Sequence, residues 1–174
     1  MANSETIKDL FLQQLQLHKR IVYKICHAYC KNKDDIEDLA QEIIYQLWKS
    51  FDRYDATYKF STWMYRIALN TAISFYRSTK KNHHHYLDQL QVVEMAAAGE
   101  ETDMETNLNL LQQCISQLKE LDKALMILYL EENSYREIAE ITGITESNVA
   151  TKISRIKEKL KQKISSQIDT HARS

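Results

Sequence analysis

The sequence predicts an all-α protein in which two small helical domains are joined by a flexible acidic linker. The chain has 174 residues, with no proline and only two glycines, whereas folds built from strands and turns use many of both residues. Over most of the chain, apolar residues recur at steps of three and four, which is the periodicity of an amphipathic helix. The stretch from Lys80 to about Thr106 lacks this periodicity and carries an acidic run, so we expect it to be a linker that is disordered in part or throughout.

The first amphipathic stretch extends from Ile7 to Tyr29. Its apolar residues recur mostly three and four positions apart, and His18 is expected to interrupt the pattern. We expect this helix to end at the polar residues from Lys31 to Lys33.

A second helix is predicted to begin at Asp34, because Asp34 and Glu37 have the spacing of a capping box. Its predicted buried face is apolar and comprises Ile36, Leu39, Ala40, Ile43 and Leu47. The opposite face carries acidic and amide side chains, namely Asp35, Asp38, Glu42 and Gln46. We therefore expect an amphipathic helix whose acidic side faces the solvent.

The third helix follows an aromatic-rich stretch from Phe51 to Phe60, where helical periodicity is lost and a loop or a short broken helix is expected. Ser61 or Thr62 is predicted to cap the helix, which should continue to about Tyr76. Steps of four and three place four polar side chains on one face of this helix: Arg66, Asn70, Ser74 and Arg77.

After the linker, helical periodicity resumes from Asn107 to Leu118 and continues from Leu121 to Leu130. Ser134 and Glu137 then have capping-box spacing and are expected to begin a short helix. These stretches predict a second helical domain in the last third of the chain.

The end of the chain has the pattern of a helix-turn-helix. Ala139 provides a small side chain where two helices cross closely, and Gly143 allows a sharp turn in a left-handed conformation. Thr145 is expected to cap the last helix. An apolar stripe on that helix comprises Val149, Ile153, Ile156, Leu160 and Ile164.

The distribution of charge favours nucleic-acid binding, although the net charge is only −1. Between Lys152 and Lys163, every charged residue except Glu158 is basic. Polar and basic side chains that project away from the apolar stripe of the last helix are Asn148, Thr151, Lys152 and Arg155. A recognition helix has this character, because polar groups near its start contact base edges while basic groups contact phosphates.

The third helix and the loop before it mix basic residues with aromatic ones such as Tyr58 and Trp63. Aromatic rings can stack unpaired bases, so this composition suits single-stranded DNA. The alternative is that most of these rings lie in the core with their polar ends outward, and the residues alone favour that alternative.

The cysteines and histidines raise the possibility of a metal site. Cys26 and Cys30 lie four positions apart with His27 between them, and three consecutive histidines, residues 83–85, fall at the start of the linker. A small helical metalloenzyme that uses these groups is one alternative. We favour small buried cysteines on a helix face and solvated linker histidines, and expect no cofactor or metal.

Two parts of the sequence resemble regions of bacterial sigma factors. Residues 34–42, followed by Leu47 and Trp48, are similar to the D-A-E-D-L-x-Q-E…W motif of sigma-factor region 2, and residues 60–70 are similar to the F-x-x-W-L-x-R-I-A-x-N motif that follows it. The stretch from Leu118 to Arg155 resembles region 4. The resemblance covers about residues 7–78 and 108–164, and the lack of further domains indicates the extracytoplasmic-function (ECF) group of the sigma-70 superfamily.

This resemblance implies three binding surfaces. Residues expected to dock on the clamp-helix coiled coil of core RNA polymerase are Asp35, Asp38, Leu39, Gln41 and Glu42. The loop from Asp52 to Phe60 is expected to engage the −10 promoter element together with α-helical residues that follow it. The individual residues expected to do so are Tyr58, Phe60, Trp63, Arg66, Asn70, Ser74 and Arg77. Residues expected to face the −35 element are Ser147, Asn148, Ala150, Thr151, Lys152, Ser154 and Arg155.

The resemblance also implies a division into region 2 (residues 1–80), a linker (81–107) and region 4 (108–168). The expected function is transcription initiation: the chain would bind core RNA polymerase, direct it to promoter DNA and help to melt the −10 element, where a base is flipped into a protein pocket. The expected regulator is an anti-sigma factor. The chain is expected to be neither an enzyme nor a binder of small-molecule substrates.

Promoter sequence specificity does not carry over from the resemblance, because this chain departs from the family pattern. Ser74 stands where an acidic residue is frequent, Ala150 where Lys or Arg is usual, and Lys152 where Arg is usual. Ala150 cannot form a hydrogen bond to a base, although its methyl group can contact that of thymine.

The expected location is the cytoplasm. No apolar run approaches the roughly 18 residues of a membrane span, and the N-terminus lacks the pattern of a signal peptide. A rival function is a helix-turn-helix regulator that binds DNA without polymerase, which would leave residues 34–77 unexplained.

Overall fold

The structure, a computed structural model, describes the backbone of residues 2–83, 110–111 and 113–171 and the side chains of residues 6–79, 110–111 and 113–166. Six helices are labelled here in chain order: α1 (Ala2–Tyr29), α2 (Lys33–Ser50), α3 (Phe60–His83), α4 (Glu120–Leu130), α5 (Tyr135–Thr142) and α6 (Glu146–His171). A 3₁₀ turn, Phe51–Arg53, follows α2. The described residues contain no strand, and the all-α prediction is confirmed.

The first three helices form one bundle, in which each helix packs against the other two. Its core contains fully buried apolar side chains from all three helices: Ile25, Leu39, Ile43, Leu47 and Met64. His18 does not interrupt α1, contrary to the sequence prediction, because its half-buried imidazole packs beside the ring of Phe60 with the centroids 5.5 Å apart.

The predicted cap of α2 is wrong by two residues. Asn32 is the N-cap, because its side-chain oxygen accepts a hydrogen bond of 2.7 Å from the backbone N–H of Asp35. Asp34 and Asp35 lie instead in the first turn of α2, where a negative charge is stabilised by the helix dipole.

Helix α3 is longer than predicted at both ends. It begins at Phe60, and the backbone N–H of Trp63 donates to the carbonyl of Lys59. It continues past Tyr76 to His83, since no glycine or proline interrupts this polar stretch. Residues 80–83, which were predicted to belong to the linker, are therefore helical, and the rest of the predicted linker lies outside the described residues.

The second bundle contains α4, α5 and α6, which pack on one another. Residues 110–111 and 113–116 are helical, the chain turns at residues 117–119, and α4 then begins. The core of this bundle contains fully buried apolar side chains from all three helices: Leu125, Leu128, Ile138, Val149 and Ile153.

The predicted helix-turn-helix is confirmed in its details. The hydroxyl of Ser134 and the carboxylate of Glu137 form both halves of a capping box at the start of α5. Gly143 ends α5 in a left-handed conformation with φ of 74°. The side-chain oxygen of Thr145 accepts a hydrogen bond of 3.2 Å from the N–H of Asn148 at the start of α6.

The two bundles pack against each other, with α3 in contact with α4 and α5. Within the described part of the chain, Lys59 forms an ion pair with Glu137 and Lys24 forms one with Glu131, and both pairs cross between the bundles. The hydroxyl of Tyr29 also donates to the carbonyl of Glu120 over 2.7 Å. This contact surface between the bundles is called the seam below.

Lys123 lies buried at the seam with 3% of its surface exposed. Its ammonium nitrogen is 5.0 Å from the ring centroid of Tyr29 and 5.3 Å from that of Tyr76. A lysine over aromatic faces is attracted by their negative quadrupoles, so α4 is joined to both α1 and α3.

Candidate nucleic-acid interface

Helix α6 exposes the polar side that the sequence predicts for duplex DNA. Val149, Ile153 and Ile156 are buried against the rest of the second bundle. The predicted residues that are exposed on the other side are Ser147, Asn148, Thr151, Ser154 and Arg155. Ala150 and Lys152 are half-buried at the edge of this surface. The structure therefore brings all the predicted −35 residues to one side of α6.

Lys157, which belongs to the basic run of α6, is directed toward α4. Its ammonium group donates to the hydroxyl of Tyr129 over 2.7 Å and lies 4.3 Å from the centroid of that ring. The hydrogen bond raises the pKa of Lys157. Lys163, in the same run, donates to the side-chain oxygen of Gln117 over 3.2 Å. The basic run therefore contains residues that face solvent and residues that bond to other parts of the second bundle, a difference that charge counting does not reveal.

Helix α3 exposes its four predicted polar residues along one line. Arg66, Asn70, Ser74 and Arg77 are all exposed. Asn70 and Ser74 also line a cleft of about 940 Å³ between α3 and α2. The α2 side of that cleft includes Asp38, Gln41 and Glu42, so residues predicted for polymerase and for the −10 element share one cleft.

Within the predicted polymerase surface, the five residues differ in exposure. Asp38, Gln41 and Glu42 are exposed, and Asp35 is half-buried. Leu39 is fully buried in the first bundle, so it can affect a partner only through the position of α2.

The aromatic residues around the loop before α3 form a cluster. The rings of Phe51, Tyr54, Phe60 and Trp63 lie with centroids 5.1–6.4 Å apart. Phe60 is buried and Trp63 is half-buried, whereas Tyr58 has 56% of its surface exposed. Of the three aromatic residues predicted for the −10 element, Tyr58 is therefore the one available for stacking without rearrangement.

Local hydrogen bonds hold the loop that carries Tyr58. The hydroxyl of Tyr54 donates to the carbonyl of Tyr58 over 2.7 Å. The carboxylate of Asp55 accepts from the N–H of Thr57 over 2.9 Å, and this bond lowers the pKa of Asp55. Hydrogen bonds from the loop's own side chains thus fix its conformation next to the aromatic cluster.

Lys59 was not predicted individually from the sequence, although it lies in the loop from Asp52 to Phe60 that was predicted to engage the −10 element. Its ammonium group donates to Glu137 over 2.8 Å. Hydrogen bonds from Lys59 and from the backbone and hydroxyl of Ser134 lower the pKa of Glu137 to about 2. A signal was present in the sequence, since this aromatic-rich stretch also contains the basic residues Arg53 and Lys59.

The cysteine prediction is confirmed, because Cys26 and Cys30 are buried free thiols. Burial raises the pKa of Cys26 to about 12 and that of Cys30 to about 11. His27 is exposed, and its Nδ1 donates to the carbonyl of Tyr23 over 2.9 Å. Among the residues that the structure describes, no group of three or more His, Cys, Asp or Glu side chains could hold a metal ion; the side chains of the three consecutive histidines, residues 83–85, lie outside this part of the chain.

The sequence matches two family models in the order that the bundles follow. Sigma-70 region 2 matches residues 15–82, and sigma-70 region 4 matches residues 108–160. The chain is also 32% identical over 170 residues to the ECF RNA polymerase sigma factor SigW of Bacillus subtilis, covering 90% of each chain. This chain belongs to the ECF sigma factors.

Other relatives agree with this assignment. The RNA polymerase sigma factor SigV of Bacillus subtilis is 30% identical over 156 residues, covering 89% of this chain and 91% of the relative. The fold is similar to that of the sigma factor RpoE of Bartonella quintana, which was solved with the anti-sigma factor NepR. The TM-score is 0.66 at 19% sequence identity, and the match covers 89% of this chain and 96% of RpoE. CnrH, solved with the cytosolic domain of CnrY, also has a TM-score of 0.66, at 18% identity and 91% and 90% coverage.

As an ECF sigma factor, the chain is a transcription initiation factor that binds RNA polymerase. The region 2 match includes α2 and α3 and most of α1, and the region 4 match includes α4, α5 and most of α6. The match to region 2 argues against a helix-turn-helix regulator that works without polymerase. None of the described helices has the length and apolar character needed to cross a membrane.

Proposed function

We propose that this sigma factor contacts the −35 element through α6, the −10 element through α3 and its preceding loop, and core polymerase through α2. The observation that carries the proposal is that α3 and α6 each expose a line of polar and basic side chains opposite a buried apolar face. Each helix therefore offers a surface with no core role of its own.

At the −35 element, the start of α6 would enter the major groove. Asn148, Thr151 and Arg155 are exposed and would contact base edges and phosphates. The half-buried Ala150 would contribute an apolar contact, for which a thymine methyl group is the matching partner.

At the −10 element, the exposed line of α3 would bind the melted strand. Arg66 and Arg77 supply positive charge for phosphates, and Asn70 and Ser74 supply hydrogen-bonding groups. Tyr58 would stack an unpaired base. Such stacking contributes roughly 1–3 kcal/mol per base to binding, as measured by alanine substitution. Phe60 and Trp63 would support the loop from beneath instead of touching DNA.

The polymerase surface would consist of the exposed acidic and amide side chains of α2. Asp38, Gln41 and Glu42 share the outer side of that helix, which suits a basic coiled coil because opposite charges steer association. Asp35 would contribute from the edge, and the buried Leu39 would hold the helix in position.

The domain limits would be residues 1–80, 81–107 and 108–168, with the middle stretch acting as a linker. An anti-sigma factor would regulate the chain, which would work in the cytoplasm and have no catalytic activity of its own. The similarity of the fold to RpoE of Bartonella quintana, a sigma factor solved with its anti-sigma factor NepR, supports this regulation.

The proposal is tested by size-exclusion chromatography of the purified chain with bacterial core RNA polymerase. We expect co-elution in a one-to-one complex and its loss in the variant Asp38→Arg. The matched control is Asp9→Arg, which makes the same charge change at an exposed position of α1 and should leave the complex intact. Co-elution of Asp38→Arg at the wild-type level would remove α2 from the polymerase surface.

A further inference from the structure

The loop before α3 is joined to the helix-turn-helix by one ion pair. The ammonium group of Lys59 lies 2.8 Å from a carboxylate oxygen of Glu137, across 78 residues of sequence. The Lys59 side chain is otherwise well exposed, with 73% of its surface accessible, against 27% for Glu137. Lys59 also follows Tyr58 directly, in the loop that we propose for the −10 element.

Glu137 is held in place independently of Lys59. One of its carboxylate oxygens accepts hydrogen bonds of 2.9 Å from both the backbone N–H and the hydroxyl of Ser134, which closes the capping box of α5. The other oxygen accepts from Lys59. The carboxylate therefore presents a fixed anionic oxygen to the loop.

A fixed anionic oxygen at hydrogen-bonding distance from lysine is the geometry of a phosphate contact. Charge-assisted bonds from lysine to carboxylate and to phosphate oxygens have the same length and the same physical origin. Backbone phosphates are also the usual partners of lysine in proteins that bind DNA. In the folded chain, Glu137 thus has the chemical character of a phosphate group placed beside a DNA-binding loop.

We propose that Lys59 is a further DNA-binding residue that contacts a phosphate of the −10 strand, and that Glu137 occupies Lys59 in its place in the free chain. This inference rests on the proposed role of the loop in binding the −10 element. It assigns opposite effects to the two residues of one ion pair, since Lys59 favours DNA binding and Glu137 competes with it.

The rest of the seam supports this competition by holding region 4 close to region 2. Lys24 forms an ion pair with Glu131, and both side chains are partly exposed. The Tyr29 hydroxyl donates to the Glu120 carbonyl, and burial raises the pKa of this hydroxyl, so it remains a donor. Because these contacts are intramolecular, Glu137 is present beside Lys59 at a high effective concentration.

The test measures the affinity of the full-length free chain for a fluorescent single-stranded oligonucleotide of mixed sequence by anisotropy at low salt. We expect Glu137→Gln to bind about two- to fivefold more tightly, the range that an exposed ion pair is worth. Lys59→Gln should bind more weakly and reduce the slope of log affinity against log salt by about 0.7, the value for one phosphate contact on single-stranded DNA. The double variant should match Lys59→Gln, because Glu137 acts only through Lys59.

The chain offers a matched control on the same helix. Glu140→Gln removes the same charge from α5, where Glu140 is paired with Arg136 one turn away, and it should leave DNA affinity unchanged. Glutamine at position 137 retains the capping hydrogen bond, so α5 should remain folded, which circular dichroism would verify. Glu131→Gln, which has no capping role, should also tighten DNA binding by loosening the seam.

The two single variants decide the proposal. If Lys59→Gln and Glu137→Gln change affinity in the same direction, or if the double variant behaves like Glu137→Gln, Lys59 is a seam contact and does not bind DNA. Failure of the proposed function is a separate result, because it would appear as wild-type chain that does not co-elute with core polymerase. The variants Lys59→Gln and Glu137→Gln should co-elute as the wild type does.

Discussion

At the scale of single residues, Gly143 has a conformational role that no other residue type would fill without cost. Its φ of 74° ends α5, and a Cβ atom added there would meet nothing within 4 Å. The requirement for glycine therefore comes from the backbone angle and not from crowding, since L-residues are disfavoured in the left-handed region.

We expect Gly143→Ala to lower the free energy of unfolding of region 4 by about 1–2 kcal/mol, the usual cost of a left-handed conformation. Urea denaturation followed by circular dichroism measures this change. Gly143→Asn is the comparison variant. Its free energy of unfolding should fall by less than that of Gly143→Ala, because asparagine tolerates the left-handed region. Equal stability of the alanine variant and the wild type would show that α5 can end in another conformation.

Glu137 shows how two neighbours act on one carboxyl group. The ordinary pKa of 4.5 falls to about 2 because Lys59 and Ser134 donate hydrogen bonds to the charged form. Because the pKa of Glu137 is lower in the folded chain than in the unfolded chain, its ionised carboxylate stabilises the fold, and this contribution is complete above the ordinary pKa. It is lost as the pH falls from about 4.5 toward 2.

We expect Lys59→Met to raise the pKa of Glu137, because the largest of the stabilising hydrogen bonds is removed while those from Ser134 remain. An NMR titration of the side-chain carboxyl carbon measures the midpoint directly. Lys33→Met serves as the control, since it removes a lysine paired with Glu37 on α2 and should leave the midpoint for Glu137 unchanged. An unaltered midpoint in Lys59→Met would show that the ion pair does not form in solution.

At the scale of helices, α2 combines a buried apolar face and an exposed acidic face at neighbouring positions. Leu39 is fully buried against the other helices of region 2, whereas Asp38 is exposed. Successive residues of a helix point about 100° apart, so one position separates the core from the solvent.

We expect Leu39→Ala to lower the free energy of unfolding of region 2 by about 2–5 kcal/mol, as other deletions of buried leucine do. Asp38→Arg should stay within about 0.5 kcal/mol of the wild type, because it is a surface substitution. Chemical denaturation of both variants provides the comparison. A large loss in Asp38→Arg would mean that its effect on polymerase binding reflects unfolding.

Helix boundaries show where local sequence signals suffice. The Ser134 capping box, the turn at Gly143 and the cap at Thr145 were all predicted correctly, because their hydrogen bonds join residues a few positions apart. The cap of α2 was wrong because two acidic residues with the right spacing follow a better-placed asparagine, Asn32. Both candidates satisfy the same local rule, and only the backbone decides between them.

The continuity of α1 depended on a contact that the sequence does not reveal. His18 fits into α1 because Phe60, from a distant part of the chain, packs beside it. Phe60 itself was assigned to the −10 element by the family resemblance, yet it is buried among other aromatic rings. Periodicity identifies a helix, whereas tertiary contacts determine which of its residues are accessible.

At the scale of the whole molecule, exposed ion pairs and the buried contacts of Lys123 and Tyr29 hold the two regions together. Lys24 and Glu131 are 107 residues apart in sequence, and no local pattern predicts such a pair. Exposed ion pairs contribute only about 0–1 kcal/mol each and weaken in salt. The exposed ion pairs of the seam can therefore be broken at modest cost.

We expect Lys24→Glu and Glu131→Lys each to increase the radius of gyration of the free chain at low salt, because each places like charges together at the seam. The double variant Lys24→Glu/Glu131→Lys restores an opposite pair and should return to the wild-type radius. Small-angle X-ray scattering measures all four proteins. A double variant as extended as the single variants would exclude this pair as a determinant of the closed form.

The burial of the cysteines has a practical consequence. The chain has three cysteines, and all of them lie in the folded interior. For Cys26 and Cys30, burial also suppresses the thiolate form, which is the form that reacts with maleimides. A cysteine introduced at the surface should therefore take up a dye selectively in the native sequence background, and a pair of such sites would allow single-molecule fluorescence to follow region 2 and region 4 as they separate.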